Sequence, residues 1–348
     1  MELTKRDNQM AQGVAILAML MLHLFCRKEN LPYEPLLWIG DVPLVYYLGL
    51  FGDLCVPTYC FCSGYAQSVL SENEREFYAK KRFSRLLKFL LNFWVVLILF
   101  AMVGLFFDKS GSIPGSLTKF LGNALLYGLS YNGAWWFVLT YVWLVLLSPV
   151  LIRVTEKLHP VLLFLASGVV YFVAYVFRFA VVLEFDSVVA DWLWQQAILL
   201  GTSQFSFVLG LLCYRHRIIS KIRTRWPKGL GGVVLCVALP VAMFALHCME
   251  ESLIIAPITG LTTVLCFHLF PKPEWMCKLF TWVGKHSTNI WLVHMFFYLE
   301  LFVGFAYVGR YPMFAFLLLF GASLVASYVV SAIYRPVAVL IDKKMIDS

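Results

Sequence analysis

His23 stands within an apolar run, ringed by Leu20, Met21, Leu22, Leu24 and Phe25. An imidazole is the side chain best suited to take a proton near neutral pH. Ionisable groups inside apolar spans are costly, so each is a functional candidate by default. Gln12 precedes His23 by three helical turns, ~16 Å along a helix axis, on nearly the same face. Asp53 lies at a matching depth in the second apolar run. A carboxylate beside His23 would fix the imidazole tautomer and raise its basicity, as a general base requires. The competing assignment is a core histidine donating to a nearby carbonyl. His294 falls in the middle of a later run, in Asn289-Ile290-Trp291-Leu292-Val293-His294, with Glu300 beyond it. His247 and His268 sit near the ends of runs and read as interfacial or packing residues.

Other side chains carry charge or hydroxyls. In Lys80-Lys81-Arg82-Phe83-Ser84-Arg85, Arg82 and Arg85 are one helical turn apart and share a face suited to clamping a phosphate. The same cluster also suits a topology anchor in contact with lipid headgroups, and residues 215–228 are equally basic. Ser63-Gly64-Tyr65 offers two hydroxyls around a residue that allows close backbone approach. No pair of histidines or cysteines has zinc-ligand spacing, so no metal is expected. There is no Gly-rich phosphate loop and no Gly-x-Ser-x-Gly elbow. The nine cysteines lie mostly in apolar runs (Cys55, Cys60, Cys62, Cys213, Cys236 and Cys266) and read as small buried hydrophobes.

The elements that must position these groups are membrane spans. Of the 348 residues, 61% are hydrophobic and only 14% charged, with mean hydropathy +0.79. One water-facing core of this size cannot hide so much apolar surface. A soluble enzyme, a disordered chain and a secreted disulfide scaffold are therefore excluded. Runs long enough to cross a bilayer occur at 10–26, 43–70, 86–107, 134–152, 161–183, 193–213, 230–249, 252–270, 281–303 and 312–336. The expected fold is all-α and polytopic, with about ten transmembrane helices in a single domain over 1–348. The first run lacks a small-residue cleavage site and reads as a retained helix rather than a signal peptide. Alternate loops carry 22 and 6 of the 28 Lys and Arg residues. The positive-inside rule then places both termini in the cytoplasm and His23 toward the outside. The net charge of +8 is accordingly a topology signal, and no nucleic-acid partner is expected. Membrane lipid is.

The ordered blocks resemble the acyltransferase-3 family of integral membrane acyltransferases over nearly the whole chain. They are Gln12-Gly13-Val14-Ala15 leading to His23, Leu54-Cys55-Val56-Pro57 running into Cys62-Ser63-Gly64-Tyr65, and Lys81-Arg82-Phe83-Ser84-Arg85. Trp135-Trp136-Phe137 with Ser148-Pro149 follows, then Gly284-Lys285-His286-Ser287 ending in Leu292-Val293-His294. The resemblance implies transfer of an acyl group, usually acetyl, from cytoplasmic acyl-CoA to a hydroxyl of an extracytoplasmic glycan or glycolipid. His23 would be catalytic, with Asp53 beside it. Lys81, Arg82 and Arg85 would bind the coenzyme phosphates, and Ser63, Gly64 and Tyr65 would line the acyl path. Trp136, His294 and Gln12 are expected on the substrate side. The resemblance also implies a multi-pass protein of a bacterial plasma (inner) membrane. The family has a basic residue where this chain has Gln12, so either Arg82, Arg85 or His286 stands in for it, or the donor differs, or activity is lost.

Two alternatives remain open at this stage. His23, Asp53, His294 and Glu300 also fit a proton-coupled transporter or a glycolipid export component. Trp136 and its neighbours Tyr131 and Trp135, with Trp192 and Trp194, either stack on sugar rings or form an interfacial aromatic belt.

Overall fold

The computed structural model describes residues 2–108 and 110–346, with side-chain surroundings described up to Asp342. Lys109 and the side chains of Lys343 and Lys344, counted above among the basic residues, lie outside the described residues. The described chain is predominantly helical, as backbone polar groups in lipid require of the spans. α1 (Lys5–Phe25) opens on a capping box in which Thr4 Oγ1 accepts from the Asp7 amide and the Asp7 carboxylate accepts from the Thr4 amide. A short antiparallel pair, β1 (Trp38–Ile39) and β2 (Val42–Pro43), leads into α2 (Leu44–Phe51). A 3₁₀ turn over Gly52–Leu54 joins α2 to α3 (Cys55–Asn73).

There follow α4 (Tyr78–Phe107), the short α5 (Leu117–Ala124), α6 (Trp136–Lys157), α7 (Pro160–Phe179) and α8 (Val188–Arg215). The last five are α9 (Ile218–Arg225), α10 (Leu230–Met249), α11 (Ala256–Leu269), α12 (Glu274–Val293) and α13 (Pro312–Ile346). Among the described residues, eight segments are long and apolar enough to cross a membrane. They correspond to the expected spans except for 252–270 and 281–303. The first of these is a 17-residue apolar segment, Leu253–Leu269. Ser252 caps its start by accepting from the Ile254 amide. Lys272 donates to the carbonyls of Phe267, His268 and Phe270 at its end. The second is displaced, because α12 begins at Glu274 and ends at Val293, where a 3₁₀ turn starts at His294.

The chain divides into two compact units whose segments alternate along the sequence. The first comprises Met1–Cys26, Tyr47–Arg75 and Thr140–Lys285. Its helices approach closely through glycines. A Cβ on Gly13 would meet the Phe280 carbonyl oxygen at 2.3 Å, and one on Gly284 the Gln9 carbonyl oxygen at 1.9 Å. The crossing of α1 with α12 is thus backbone on backbone. Gly64 and Gly210 do the same for α3 and α8, against Phe207 and Phe61. All six cysteines read as buried hydrophobes are buried and free.

Polar pairs join the helix ends of this unit in two separate sets. Asp7, at the start of α1, is 3.4 Å from His268 at the end of α11, and Arg6 is 2.5 Å from Glu274 at the start of α12. Arg215 pairs with Glu156 and Arg217 with Glu72, joining the ends of α8, α6 and α3. The opposite set holds Asp53 with His247, and Tyr47 with Glu251. These pairs lie between ends that the ten-span alternation puts on one side, although neither α11 nor α12 is among the eight segments long and apolar enough to cross.

The second unit comprises Arg27–Tyr46, Glu76–Leu139 and His286–Ser348. Its core gathers Phe93, Val96, Leu97 and Phe100 of α4 around Trp135, Leu292, Val293 and Phe296. Trp135 sits edge-on to Phe93 at 4.9 Å, and Phe100 stacks on Phe296 at 4.1 Å.

Candidate active site

In the first unit, His23 lies in the last turn of α1, two residues before the helix ends at Phe25. The Gly52 backbone packs on α1 beside Ala18 and Leu22, which sets the 3₁₀ turn carrying Asp53 against that part of the helix. Asp53 does not take His23 as its partner. Its Oδ2 lies 3.0 Å from Nε2 of His247, in the last turn of α10. The sequence expectation of a His23–Asp53 pair is corrected here: α10 delivers a second histidine to the carboxylate. His247 is fully buried and Asp53 nearly so, so the histidine expected to be interfacial or packing is also the hydrogen-bond partner of a buried carboxylate. The edge of the Phe51 ring closes one side of the imidazole.

The geometry of this pair fixes its proton count. Nδ1 of His247 is 2.8 Å from the Met243 carbonyl oxygen, which can only accept, so Nδ1 carries hydrogen. Nε2 then faces Asp53 Oδ2 at hydrogen-bond distance, and two lone pairs would repel there. One proton must lie between them. The pair is neutral as a unit, either as carboxylic acid with imidazole or as carboxylate with imidazolium. Loss or gain of a proton would leave a net charge buried among apolar side chains. Asp53 Oδ1, also buried, has no hydrogen-bond partner.

Other expected site residues of this unit have structural contacts. Gln12 is half-buried, and its carbonyl accepts a 3.4 Å bond from the Tyr59 hydroxyl. Ser63 is half-buried, whereas Gly64 is packed on the Phe207 backbone. The Tyr65 hydroxyl donates to Glu2 Oε2 at 2.8 Å and accepts from the Leu3 amide at 2.9 Å, tying down the N-terminal segment.

In the second unit, Lys81, Arg82 and Arg85 occupy the first two turns of α4. Arg82 lies over the Tyr78 ring at 5.6 Å, and Arg85 is exposed. Further along α4, Lys88 pairs with Asp342. A buried polar ladder crosses from α4 to α13. Asn92 donates to Asn289 Oδ1 at 2.7 Å, and Asn289 donates to Ser331 Oγ at 3.1 Å. His286 Nδ1 is 2.9 Å from Ser327 Oγ, and its ring lies against Tyr328.

The end of α12 is held by the segment before α6. Asn132 and the Trp135 indole both donate to the Leu292 carbonyl at 2.9 Å, and Trp291 donates to the Ala134 carbonyl at 3.1 Å. His294 follows, fully buried, with Nδ1 2.8 Å from the Trp291 carbonyl oxygen. Its ring stacks near Tyr298. Of the tandem tryptophans, Trp135 is the buried one, while Trp136 is half-buried against Phe137. No group of three or more metal-ligating side chains occurs among the described residues.

His247 is the functional-type residue that sequence reasoning passed over. The signal was present, since it is an ionisable group inside an apolar run, but proximity to the run's end had discounted it. A family model described as an acyltransferase domain (acyltransferase-3) matches residues 9–333, a range that takes in both units. No curated protein and no solved structure matches the chain.

Proposed function

Because the chain belongs to the acyltransferase-3 family, and is thus a membrane acyltransferase, we propose that it moves an acetyl group from cytoplasmic acetyl-CoA to a hydroxyl of an extracytoplasmic glycan or glycolipid. The observation that carries this reading is the family match over residues 9–333, within which His23 and the basic start of α4 both fall. The uneven distribution of Lys and Arg supports an orientation with both termini and the basic start of α4 inside, on the side of a cytoplasmic donor; the location proposed with it is a bacterial plasma membrane.

In this reading His23 takes the proton of the acceptor hydroxyl. The hydroxyl oxygen bonds to the acyl carbon, the carbon–sulfur bond breaks, and coenzyme A leaves as a thiolate that is protonated from solvent, while His23 returns the proton it took to solvent. Lys81, Arg82 and Arg85 hold the phosphates of the donor. Their fit is chemical: three cations within two helical turns, of which the two arginines present planar donor sets matched to phosphate oxygens. Ser63 lines the acyl path, with Gly64 and Tyr65 fixing its backbone. A substrate-side role for Gln12, Trp136 and His294 belongs to the same proposal. Asp53 acts through its shared proton with His247, as a positioning residue rather than as a direct partner of His23.

Purified full-length protein in proteoliposomes, given radiolabelled acetyl-CoA on one side and lipid-linked glycan on the other, tests the proposal. Label is expected in the glycan of wild-type vesicles and absent from His23→Ala vesicles. Transport of intact glycan without acetylation would point to the export reading instead.

A further inference from the structure

Charge alone does not distinguish the basic segment 215–228 from the basic start of α4, but the structure divides its cations into two groups. Arg215 and Arg217 are engaged by Glu156 and Glu72. Lys221, Arg223, Arg225 and Lys228 are exposed, and among the described residues none forms an ion pair. α9 is seated by Ile219, fully buried in the core formed with α3 and α8.

Lys221 and Arg225 are four residues apart on one stripe of α9. With Ile218, Ile222 and Trp226 they line a surface pocket of about 370 Å³. Trp226 is held in place, since its indole N–H donates to the Gly232 carbonyl at 3.2 Å. α8 and α10, on either side, are long and apolar enough to cross the membrane. The pocket thus belongs to the connection between two apolar spans, beyond the end of α8 at Arg215 and before the start of α10 at Leu230. Its walls are two isoleucines and an indole ring, and its charge is two cations. A nucleotide would find few polar partners for its base and ribose there, whereas a phosphate attached directly to an apolar body matches both surfaces.

We propose that α9 and Trp226 form a binding site for an anionic phospholipid, with the headgroup phosphate between Lys221 and Arg225 and the glycerol and upper acyl carbons against Ile218, Ile222 and Trp226. The site anchors the α8–α10 connection to the leaflet and is independent of the donor and acceptor assigned above.

Native mass spectrometry of the full chain in detergent, titrated with phosphatidylglycerol or phosphatidylcholine, tests it. One phosphatidylglycerol is expected to be retained preferentially. Lys221→Gln/Arg225→Gln should weaken that binding about 30-fold, from roughly one unit of charge attraction lost at each position. Arg223→Gln/Lys228→Gln removes the same charge from the same connection outside the pocket and should leave retention within about threefold of wild type. Comparable melting temperatures for the two variants establish that both are folded. Equal losses in both variants would reduce the site to diffuse attraction and overturn the proposal. Unchanged binding in the first variant, equal retention of phosphatidylcholine, or displacement of the lipid by coenzyme A would do the same.

Discussion

His247 and Asp53, 194 residues apart in the chain, hold one proton between Nε2 and Oδ2. The Met243 carbonyl fixes the hydrogen on Nδ1, so the contact cannot form without that proton. Asp53→Asn retains a donor toward Nε2 and removes the shared proton, leaving a neutral amide beside a neutral imidazole. Its stability is expected to stay within about 1 kcal/mol of wild type. Asp53→Ala strands the buried ring nitrogen and should cost about 1–3 kcal/mol, read as a lower melting temperature in detergent. Nitrogen NMR of labelled His247 separates the cases: the Asn variant should show an unprotonated Nε2. Equal stability of the Asn and Ala variants would remove the proton-sharing pair from the account.

Arg82 and Arg85 should matter for donor affinity more than for the chemical step. An interaction made equally in ground and transition states changes KM and leaves kcat alone. A charge-assisted phosphate contact contributes about 1.5–3 kcal/mol. Arg82→Ala or Arg85→Ala is thus expected to raise KM for acetyl-CoA by roughly 10- to 100-fold with kcat within about threefold. Loss of kcat at unchanged KM would place these residues near the reacting atoms instead.

The crossing of α1 and α12 makes a prediction about stability alone. A Cβ on Gly284 would lie 1.9 Å from the Gln9 carbonyl oxygen, and backbone cannot yield as a flexible side chain can. Gly284→Val is expected to destabilise by about 1–3 kcal/mol or more. Lys285→Gln, at the exposed neighbour, should be within about 0.5 kcal/mol of wild type. Membrane abundance and melting temperature together provide the measurement. A Val variant as stable as the Gln variant would mean that the helices do not cross at Gly13 and Gly284.

The spans were legible in the sequence because about 20 apolar residues in a row have few other uses. The buried cysteines were legible for the same reason. The alternation of Lys and Arg is consistent with the polar pairs that join Asp7 to His268 and Arg217 to Glu72. Partners across helices were not legible. Nothing in the apolar runs says that α10 rather than α1 supplies the imidazole for Asp53, because periodicity specifies a buried face and not its neighbour. Gly284 was noticed as part of a motif with a functional flavour, yet its physical role is to let α1 approach. The end of α12 was misplaced for a related reason. The donors that hold the Leu292 carbonyl, Asn132 and Trp135, come from a segment 157 to 160 residues earlier.

His23 carries the heaviest functional claim, and its substitution is the sharpest test. A positioned general base contributes about 10²–10⁴-fold to rate. His23→Ala is expected to lower kcat by that factor while leaving KM for acetyl-CoA within about threefold, since the phosphates are assigned to α4. His23→Gln preserves hydrogen-bonding capacity and approximate size without a proton-accepting nitrogen. It should be as inactive as His23→Ala yet melt within about 1 kcal/mol of wild type. That separation matters because His23 is half-buried beside the buried Leu20 and Leu24, and an alanine alone confounds lost chemistry with lost packing. Activity surviving in the Gln variant would assign His23 to packing. The buried pair of that unit, Asp53 with His247, would then be the place to look for the base, and His247→Gln would have to abolish transfer.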